Sequence, residues 1–302
     1  MSYQDTKKLF VATLFVIFGG ASFGSIFAAN KFSSETGLPY FSYAFWQIFL
    51  GAVILLILAC VTGRAPRFNW QNIKVFIFVA VLGLISPLLV FNVIADKLPP
   101  GIVTLSVALI PASTYLLALV IKADSLRAVS IFGVIIGFGS VLLIVVPGNS
   151  LPIDGAEIWV LFSLLVPLAC GAHNAFSGLL RPAEAETLGL AAGTMLVATL
   201  ILLPISWAKD GFHFFASYGL QAIGTTVWAA IIWVIVYICF FEIVKRTSGL
   251  FYAQINYVIV AAGLFWSWII FADTLSLWVW LAVGMLFVSL AFINLGARSA
   301  KR

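Results

Sequence analysis

The stretch LFVATLFVIFGGASFGSIFAA occupies residues 9–29 and contains no charged side chain. A helix needs about 20 consecutive apolar residues to cross the hydrocarbon core of a bilayer, so this stretch can span one. Lys7 and Lys8 precede it as they would in a signal peptide, but the run exceeds a signal-peptide core of about 7–15 residues. Because similar runs follow it, we interpret residues 9–29 as a first membrane helix that is retained.

The composition of the 302-residue chain extends this interpretation to its whole length. Hydrophobic residues make up 63% of the chain and charged residues 9%, against roughly 25% charged in ordinary soluble domains. A single soluble core could not bury so much apolar surface, so lipid must cover much of it. The basic residues lie between apolar runs and not along one stripe, so the net charge of +5 does not indicate a nucleic-acid partner.

Ten runs are long enough to cross a bilayer, and the connections between them are short. We therefore predict an all-α membrane protein with ten transmembrane helices. β-barrel strands would be half as long and would alternate in polarity. The predicted spans are 9–29, 41–62, 73–95, 100–121, 126–146, 156–180, 188–207, 221–244, 250–271 and 276–296.

The basic residues predict the orientation of the ten spans. With the N-terminus in the cytoplasm, 13 of the 16 Lys and Arg residues fall on the cytoplasmic side. The other three, Lys31, Lys97 and Lys209, fall on the opposite side. Because cytoplasmic loops of membrane proteins carry an excess of Lys and Arg, we predict an inner-membrane protein with both termini in the cytoplasm.

The two halves of the chain match at a shared spacing. Phe27 and Phe176, Ala123-Asp124 and Ala272-Asp273, and Leu126 and Leu275 are each 149 positions apart. We therefore predict two five-helix repeats, residues 1–148 and 149–302, that form one transmembrane domain. Because five is odd, the second repeat must enter the membrane from the opposite side, which makes the repeat inverted.

The residues that recur once per half carry a resemblance to a known family. They are Pro100-Gly101-Ile102-Val103-Thr104 to Leu109-Ile110-Pro111-Ala112, Ala123-Asp124-Ser125-Leu126 and Gly133-Val134-Ile135-Ile136-Gly137 in the first half, and Ser248-Gly249-Leu250-Phe251-Tyr252, Ala272-Asp273-Thr274-Leu275 and Gly284 in the second. With these the chain resembles the drug/metabolite transporter superfamily, in its ten-helix EamA-type branch. The resemblance implies a central cavity, alternating access and export of small metabolites, including amino acids. Val260 stands near the place that Pro111 occupies in the first half, which departs from a strict repeat.

The placement of charged residues limits the substrate. None of the 11 acidic residues, and no Lys or Arg, lies near the middle of a predicted span. Ionisable groups at that depth are costly and usually mark function. A carrier of phosphorylated solutes would need buried cations there. The remaining class is a neutral or zwitterionic solute, held by hydrogen bonds and aromatic faces.

Polar and aromatic side chains inside the spans are the candidate substrate-binding residues. Such groups are costly against lipid unless they are paired or face a cavity, and helix-to-helix hydrogen bonds are the alternative explanation. In helix nine, Tyr252 shares a face with Asn256, and Gln254 shares one with Tyr257. The full set is His173, Asn174, Trp233, Tyr237, Tyr252, Gln254, Asn256 and Tyr257, with Trp46, Gln47 and Asn92 as weaker members.

Small residues and prolines predict how the spans pack and bend. Gly133 and Gly137 form a close-packing motif in helix five, for which we expect Gly284 in helix ten as the partner. Three of the prolines inside spans should kink them. They are Pro87, Pro111 and Pro167.

The alternatives to a transporter are a multi-pass membrane enzyme and an ion channel. An enzyme would need a cluster of His, Asp, Glu or Cys at one membrane face, and no such spacing occurs around His173 or His213. A channel would need a ring of charges or carbonyl groups at a filter. The three cysteines form no CxxC pair, so we expect no metal and no cofactor. The expected partners are a small-molecule substrate and the lipid bilayer, with the chain as a monomer and not a homodimer.

Overall fold

The computed structural model of the protein describes residues 3–122, 124–146, 151, 155–180, 185–247, 249–252, 254–273 and 275–299. The predicted boundary between the two repeats, Ala123, and the basic residues Arg181, Lys301 and Arg302 lie outside these residues. Within them all regular secondary structure is helical, which confirms the predicted all-α class.

Fifteen α-helices and two short helices of other kinds make up the described chain. The first half contains α1 (Tyr3–Gly24), α2 (Ile26–Glu35), α3 (Tyr40–Val61), α4 (Trp70–Phe78), a π-helical segment (Val79–Ile85), α5 (Ser86–Ile94), α6 (Pro100–Val107), α7 (Ile110–Val120) and α8 (Ala128–Val145). The second contains α9 (Glu157–Ser163), α10 (Leu165–Leu180), α11 (Thr187–Asp210), a 3₁₀ turn (Phe215–Tyr218), α12 (Gly219–Arg246), α13 (Gly249–Tyr252), α14 (Ile255–Phe271) and α15 (Leu277–Ser299).

Eight stretches of these helices are long and apolar enough to cross a membrane, and two shorter apolar helices follow them. The eight are Lys8–Glu35, Tyr40–Val61, Trp70–Ile94, Pro100–Val120, Ala128–Val145, Glu157–Phe176, Thr187–Asp210 and Phe215–Arg246, and the two shorter helices are Ile255–Phe271 and Leu277–Ile293. Each overlaps one predicted span, so the chain is a multi-pass membrane protein.

Three of the spans are broken four residues before a proline. Proline has no N–H to donate to the carbonyl four residues earlier, and its ring collides with that carbonyl in a straight helix. α6 ends at Val107, four residues before Pro111, and α9 ends at Ser163, four before Pro167. Gly83, four before Pro87, lies in the π-helical segment. The predicted kinks are therefore confirmed.

The tightest helix pair joins α8 to α15 through small residues. A Cβ atom on Gly133 would lie 2.8 Å from the Ser289 carbonyl oxygen, and one on Gly296 would collide with the Ser130 hydroxyl. The Ser289 hydroxyl also donates to the Gly133 carbonyl at 2.6 Å. The expected partner helix, the tenth, is confirmed as α15, but Gly284 does not form the contact, because no described atom lies within 4 Å of where its Cβ would be.

Two ends of the bundle differ in charge. We call one the basic end, where Arg64, Lys74 and Arg127 lie near helix termini, and where Lys245 and Glu186 form a 3.8 Å ion pair. Arg246 and Glu242 form a second ion pair there, at 2.7 Å. We call the other the opposite end. It holds the ends of α2, α5 and α11 and the starts of α3 and α12.

Candidate functional site

A cavity lies between helices of the two halves, in the middle of the bundle and toward the basic end. Its empty volume is about 620 Å³, which includes any open approach. The walls are mainly aromatic and aliphatic, and none of the described residues that line them carries a full charge. They are Phe23, Gly83, Pro87, Phe91, Val107, Ile110, Val166, Cys170, His173, Asn174, Trp233, Val236, Tyr237, Phe240, Tyr252, Asn256 and Ile259.

His173 of α10 is the imidazole in this wall. Its side chain is only 6% exposed, and its ring centroid lies 5.1 Å from that of Phe240 and 6.5 Å from that of Phe78. Gly83 lies directly against the ring, since a Cβ atom there would be 2.9 Å from His173 Cγ. The Nε2 atom is buried and has no hydrogen-bond partner among the described residues. A buried polar atom of this kind normally finds a partner, so a solute or a water is needed to provide one.

Trp233 of α12 is held in one orientation by a residue behind the wall. Its Nε1–H donates to Gln47 Oε1 at 2.8 Å, and both side chains are buried. Its ring meets Phe23 edge-on, with centroids 5.4 Å apart, and lies 6.1 Å from Tyr237. Edge-to-face contacts at these distances are favourable, so the indole is fixed on one side and faces the cavity on the other.

The remaining polar side chains of the wall come from α10, α13 and α14. Asn174 Nδ2 donates to the Thr114 hydroxyl at 3.5 Å, which is long for a hydrogen bond. Asn256 is 3% exposed, and the Tyr252 ring packs edge-on against Phe240 at 4.7 Å. These amides and phenols can donate and accept hydrogen bonds without adding charge to the cavity.

Aromatic rings close the cavity toward the opposite end. Phe27 packs edge-on against Phe91, with centroids 5.1 Å apart, and against Phe23 at 5.8 Å. The three side chains are at most 9% exposed. Phe23 also contacts Trp233, so these rings form a continuous layer across the bundle.

Beyond the aromatic layer, polar contacts join the two halves at the opposite end. Asp210, the last residue of α11, accepts a hydrogen bond from the Ser42 backbone N–H at 2.7 Å in the first turn of α3. Trp46 Nε1–H donates to the His213 carbonyl at 2.7 Å. We call these two contacts the latch. Ser42 and Ser206 hydroxyls lie 3.3 Å apart beneath it.

A smaller set of charges surrounds the latch. Asp96 accepts from the Tyr40 hydroxyl at 2.8 Å and from the Lys97 ammonium at 2.8 Å. The hydrogen bond to Asp96 and the attraction of its charge raise the pKa of Lys97 above its ordinary value. Because Lys97 is solvated, this pair contributes little to stability.

A polar pocket occupies the corresponding place at the basic end. It lies between the loop after α3 and the start of α11, and its empty volume is about 660 Å³. A Cβ atom on Gly189 would lie 3.1 Å from the Arg64 carbonyl oxygen, so the two segments touch at one point beside the pocket. The pocket is lined by Gly63, Arg64, Ala65, Arg67, Asn69, Gln71, Asn72, Ala185, Glu186, Gly189 and Leu190.

Six of the eleven predicted binding residues line the central cavity: His173, Asn174, Trp233, Tyr237, Tyr252 and Asn256. The other five lie elsewhere. Gln47 supports Trp233 from behind, Trp46 belongs to the latch, and Asn92 donates to the Tyr40 carbonyl at 3.3 Å. Gln254 precedes α14, and the Tyr257 ring stacks on Phe287 at 6.1 Å. That any of the eleven binds substrate stays a prediction.

The sequence interpretation missed several lining residues because they carry little chemistry of their own. Phe23, Phe91 and Phe240 look like any other phenylalanine in an apolar helix. Gly83 left one signal, its position four residues before Pro87, which marks a break in the helix. Among the described residues, no group of three or more His, Cys, Asp or Glu side chains is placed to hold a metal ion.

Comparison with known proteins finds a family match in the first half of the chain. Residues 10–146 match the EamA-like transporter family, which confirms the resemblance that the repeated motifs carry. No curated protein sequence matches the chain. A solved structure, described only as the crystal structure of a protein, is similar in fold, with a TM-score of 0.69 and 15% sequence identity. The alignment covers 97% of this chain and 98% of the other.

Proposed function

We propose that the chain, whose residues 10–146 match the EamA-like transporter family, is a membrane transporter of the drug/metabolite type. From this premise we propose that it is a secondary transporter that exports small neutral or zwitterionic metabolites, such as amino acids. The observation that carries the proposal is the central cavity, whose described walls combine aromatic faces, amides, phenols and an imidazole without a full charge. The direction, outward, follows from the resemblance to the family.

The chemistry of the walls supports a solute without net charge. A phosphate or a strongly anionic group loses its water on entering a membrane protein and needs cations to replace it. The described lining contains no Lys or Arg. Amides and hydroxyls can meet the ammonium and carboxylate of a zwitterion, whose opposite charges also attract each other.

We propose ten spans arranged as two inverted five-helix repeats, with alternating access to the cavity. The packing of helices supports this arrangement. If each span of the first half is swapped with its counterpart five spans later, the main helix pairs stay the same. α3 packs on α11, and α8 on α15, as pairs that map onto themselves. The pair α1–α14 maps onto α10–α7, which also pack together. Inverted repeats of this kind allow one half to rock against the other around a fixed midplane site.

We propose that the protein is a monomer in the inner cell membrane with both termini in the cytoplasm. The 13-to-3 distribution of basic residues supports the orientation, and makes the basic end cytoplasmic. The aromatic layer and the latch then lie toward the outside. A cavity on the cytoplasmic side of a closed layer is the state expected of an exporter that is ready to load.

Counterflow into proteoliposomes tests the proposal directly. Vesicles that hold purified protein are loaded with one unlabelled solute and diluted into the same solute in labelled form, across a panel of amino acids and neutral metabolites. We expect accumulation of at least one neutral or zwitterionic solute and none of a sugar phosphate or sugar nucleotide. Robust counterflow of a phosphorylated solute would overturn the assignment, as would the absence of counterflow across the panel.

Asn256→Ala tests whether the polar wall contacts the solute. Losing a hydrogen bond to a neutral group costs about 0.5–1.5 kcal/mol, so we expect affinity to fall about three- to tenfold. The melting temperature in detergent should change by only a few degrees. Asn72→Ala is the matched control, because Asn72 is also buried but donates to the Arg67 carbonyl outside the cavity. A variant that melts much earlier and yet transports normally per folded molecule would show that Asn256 only joins helices.

A further inference from the structure

We propose that Gly83 positions the His173 imidazole in the cavity wall, and that this pair selects solutes with a flat ring that carries a hydrogen-bonding group at its edge. The inference rests on the proposed transport function and names the substrate class of the same site. Gly83 acts through His173 and is a positioning residue, whereas the His173 Nε2 atom is the group that meets the solute.

The backbone around Gly83 is set by a proline in the same span. Pro87 cannot donate to the carbonyl of Gly83, and a regular helix would bring its ring against that carbonyl. The chain instead forms the π-helical segment Val79–Ile85, in which the Ser86 N–H bonds to the carbonyl of Val81, five residues earlier. Such segments occur often at functional sites, because the wider turn shifts the residues within it.

The wider turn brings the Gly83 backbone against His173. A Cβ atom at position 83 would lie 2.9 Å from both Cγ and Cδ2 of His173 and 3.0 Å from Nε2. Real Cβ atoms do not approach ring atoms so closely, so any larger residue would move the imidazole. Phe240 packs on the ring from a second direction, at 5.1 Å, which limits where the ring can go.

The orientation that this contact enforces leaves one polar atom without a partner. His173 is more than nine-tenths buried, yet Nε2 finds no hydrogen-bond partner among the described residues. His173 and Gly83 both line the cavity, so the imidazole belongs to its wall. A solute group that reaches Nε2 gains a hydrogen bond that the empty site lacks, and a solute without such a group leaves the atom unpaired.

The other walls favour a flat ring as the carrier of that group. Trp233 is held edge-on by Phe23 and by its bond to Gln47, which leaves its ring fixed as a surface for stacking. Tyr237 and Phe240 continue this surface, with centroids 6.3 Å apart. A planar solute can contact such rings over its whole face, whereas a branched aliphatic solute cannot.

Binding to the purified full-length protein in detergent tests the substrate class without requiring transport. The probes are two pairs of solutes that differ in hydrogen bonding at the ring: L-tyrosine with L-phenylalanine, and uracil with 1,3-dimethyluracil. L-leucine serves as the solute without a ring. The readouts are the dissociation constant and the ligand-dependent rise in melting temperature.

We expect the member with the hydrogen-bonding group to bind about three- to tenfold more tightly in at least one pair, and L-leucine to bind more weakly than either. His173→Phe should abolish the preference within the pair, and His173→Gln should restore part of it. Equal binding within both pairs, or a preference that survives His173→Phe, would overturn the inference.

A double-mutant cycle tests the role of Gly83. We expect Gly83→Ala to weaken the preferred probe about tenfold in the wild-type background and to have almost no effect in the His173→Ala background. Gly224→Ala is the matched control, because no described atom lies within 4 Å of a Cβ at that helical position. Equal effects of Gly83→Ala in both backgrounds would show that the glycine does not act through His173.

The two proposals fail in different ways. If His173 is needed to prefer one member of a solute pair but no solute shows counterflow, the ring-selective site stands and the transport function is overturned. If a solute shows counterflow but binding within both solute pairs is equal, the transport function stands and the ring-selective site is overturned. Should Gly83→Ala not fold, the His173→Phe and His173→Gln comparison still decides the substrate class, and folding of the double variant Gly83→Ala/His173→Ala decides the contact.

Discussion

α3 and α11 lie side by side at both ends of the bundle, but the hydrogen bonds between them differ from one end to the other. At the opposite end, α3 begins beside the last residue of α11, and Asp210 accepts from the Ser42 N–H at 2.7 Å. At the basic end, α11 begins beside the loop after α3, and a Cβ atom on Gly189 would lie 3.1 Å from the Arg64 carbonyl oxygen and 3.3 Å from that of Ala65. Where the first end has the latch, the second has a polar pocket of about 660 Å³.

This difference bears on how the proposed repeat works. An inverted repeat relates the end of α3 at one face to the end of α11 at the other, so a symmetric molecule would bond both ends alike. Instead the latch bonds one end, and among the described residues no hydrogen bond joins the loop after α3 to the start of α11 at the other. We infer that the asymmetry defines the conformation: the side with the latch is closed, and the reverse distribution of bonds would describe the other state of the transport cycle.

Asp210→Ala should have the largest effect on this comparison. Losing the carboxylate that caps α3 costs about 1–2 kcal/mol, so the closed state should lose about five- to thirtyfold in population relative to the other. Cys170 in the cavity wall reports the change. With Cys60 and Cys239 replaced by Ser, we expect Cys170 to react more slowly with a membrane-impermeant thiol reagent added from the basic end, and faster from the opposite end.

Asp210→Asn is the control for shape, because its amide oxygen can still accept from the Ser42 N–H. Asp210→Asn should change the labelling rates of Cys170 by less than Asp210→Ala does. If Asp210→Ala lowers the melting temperature and leaves both labelling rates unchanged, the contact stabilises the fold without closing the cavity.

Trp46→Phe should weaken the latch by less. The change removes the N–H that donates to the His213 carbonyl and keeps a ring against Phe214 and Phe215, whose centroids lie 5.2 and 5.3 Å away. One neutral hydrogen bond is worth about 0.5–1.5 kcal/mol, which predicts about a two- to tenfold shift in the same labelling assay. Trp207→Phe, at an exposed indole nearby, should leave the rates unaltered. If Trp46→Phe and Trp207→Phe change the labelling rate of Cys170 equally, the effect comes from losing an indole ring and not from weakening the latch.

Arg64→Ala with Arg67→Ala should have the smallest effect. Both side chains are exposed, and neither has an ion-pair partner within 4.0 Å in the part of the chain that the structure describes. We expect the free energy of unfolding to change by less than about 0.5 kcal/mol and the labelling of Cys170 to stay the same. A shift as large as that of Asp210→Ala would mean that the basic end is also held by its side chains, and the contrast between the two ends would fail.

The spans were predictable because lipid imposes a simple requirement on sequence. Every backbone polar group at depth must be bonded within its own helix, so each crossing needs one long apolar run. The predicted run 41–62 and the observed helix Tyr40–Val61 illustrate how well that requirement locates a span. The breaks before Pro111 and Pro167 were predictable for the same reason, since proline removes one of those bonds.

The break in the ninth span was not predictable from local sequence. The run 250–271 contains no proline, and its pattern suits one helix, yet α13 ends at Tyr252 and α14 begins at Ile255. Contacts with other helices decide such a break, and residue spacing along one helix does not record them. Tyr252 and Asn256 still face the cavity from the two sides of the break.

Polarity alone does not separate the candidate residues that line the cavity from those that do not. The cost of polar groups in lipid predicts that such side chains avoid lipid, and six of the eleven are buried: Gln47, Asn92, His173, Trp233, Tyr237 and Asn256. It could not distinguish a side chain that faces the cavity from one that bonds to a neighbouring helix. Gln47 and Asn92 have such bonds, to Trp233 and to the Tyr40 carbonyl, whereas His173 Nε2 does not.

The close packing of α8 on α15 has a consequence for inherited variation in this protein. At Gly133 the gap to the Ser289 carbonyl admits no side chain, and the smallest replacement already needs the helices to separate. Alleles altered there would reduce how many molecules survive quality control, with those that do survive keeping the selectivity of the parent. If Gly83 sets the substrate class as proposed, alleles altered there would leave abundance closer to normal and change which solutes are transported. Two glycines in one sequence would thus give rise to two kinds of phenotype, one of dosage and one of specificity.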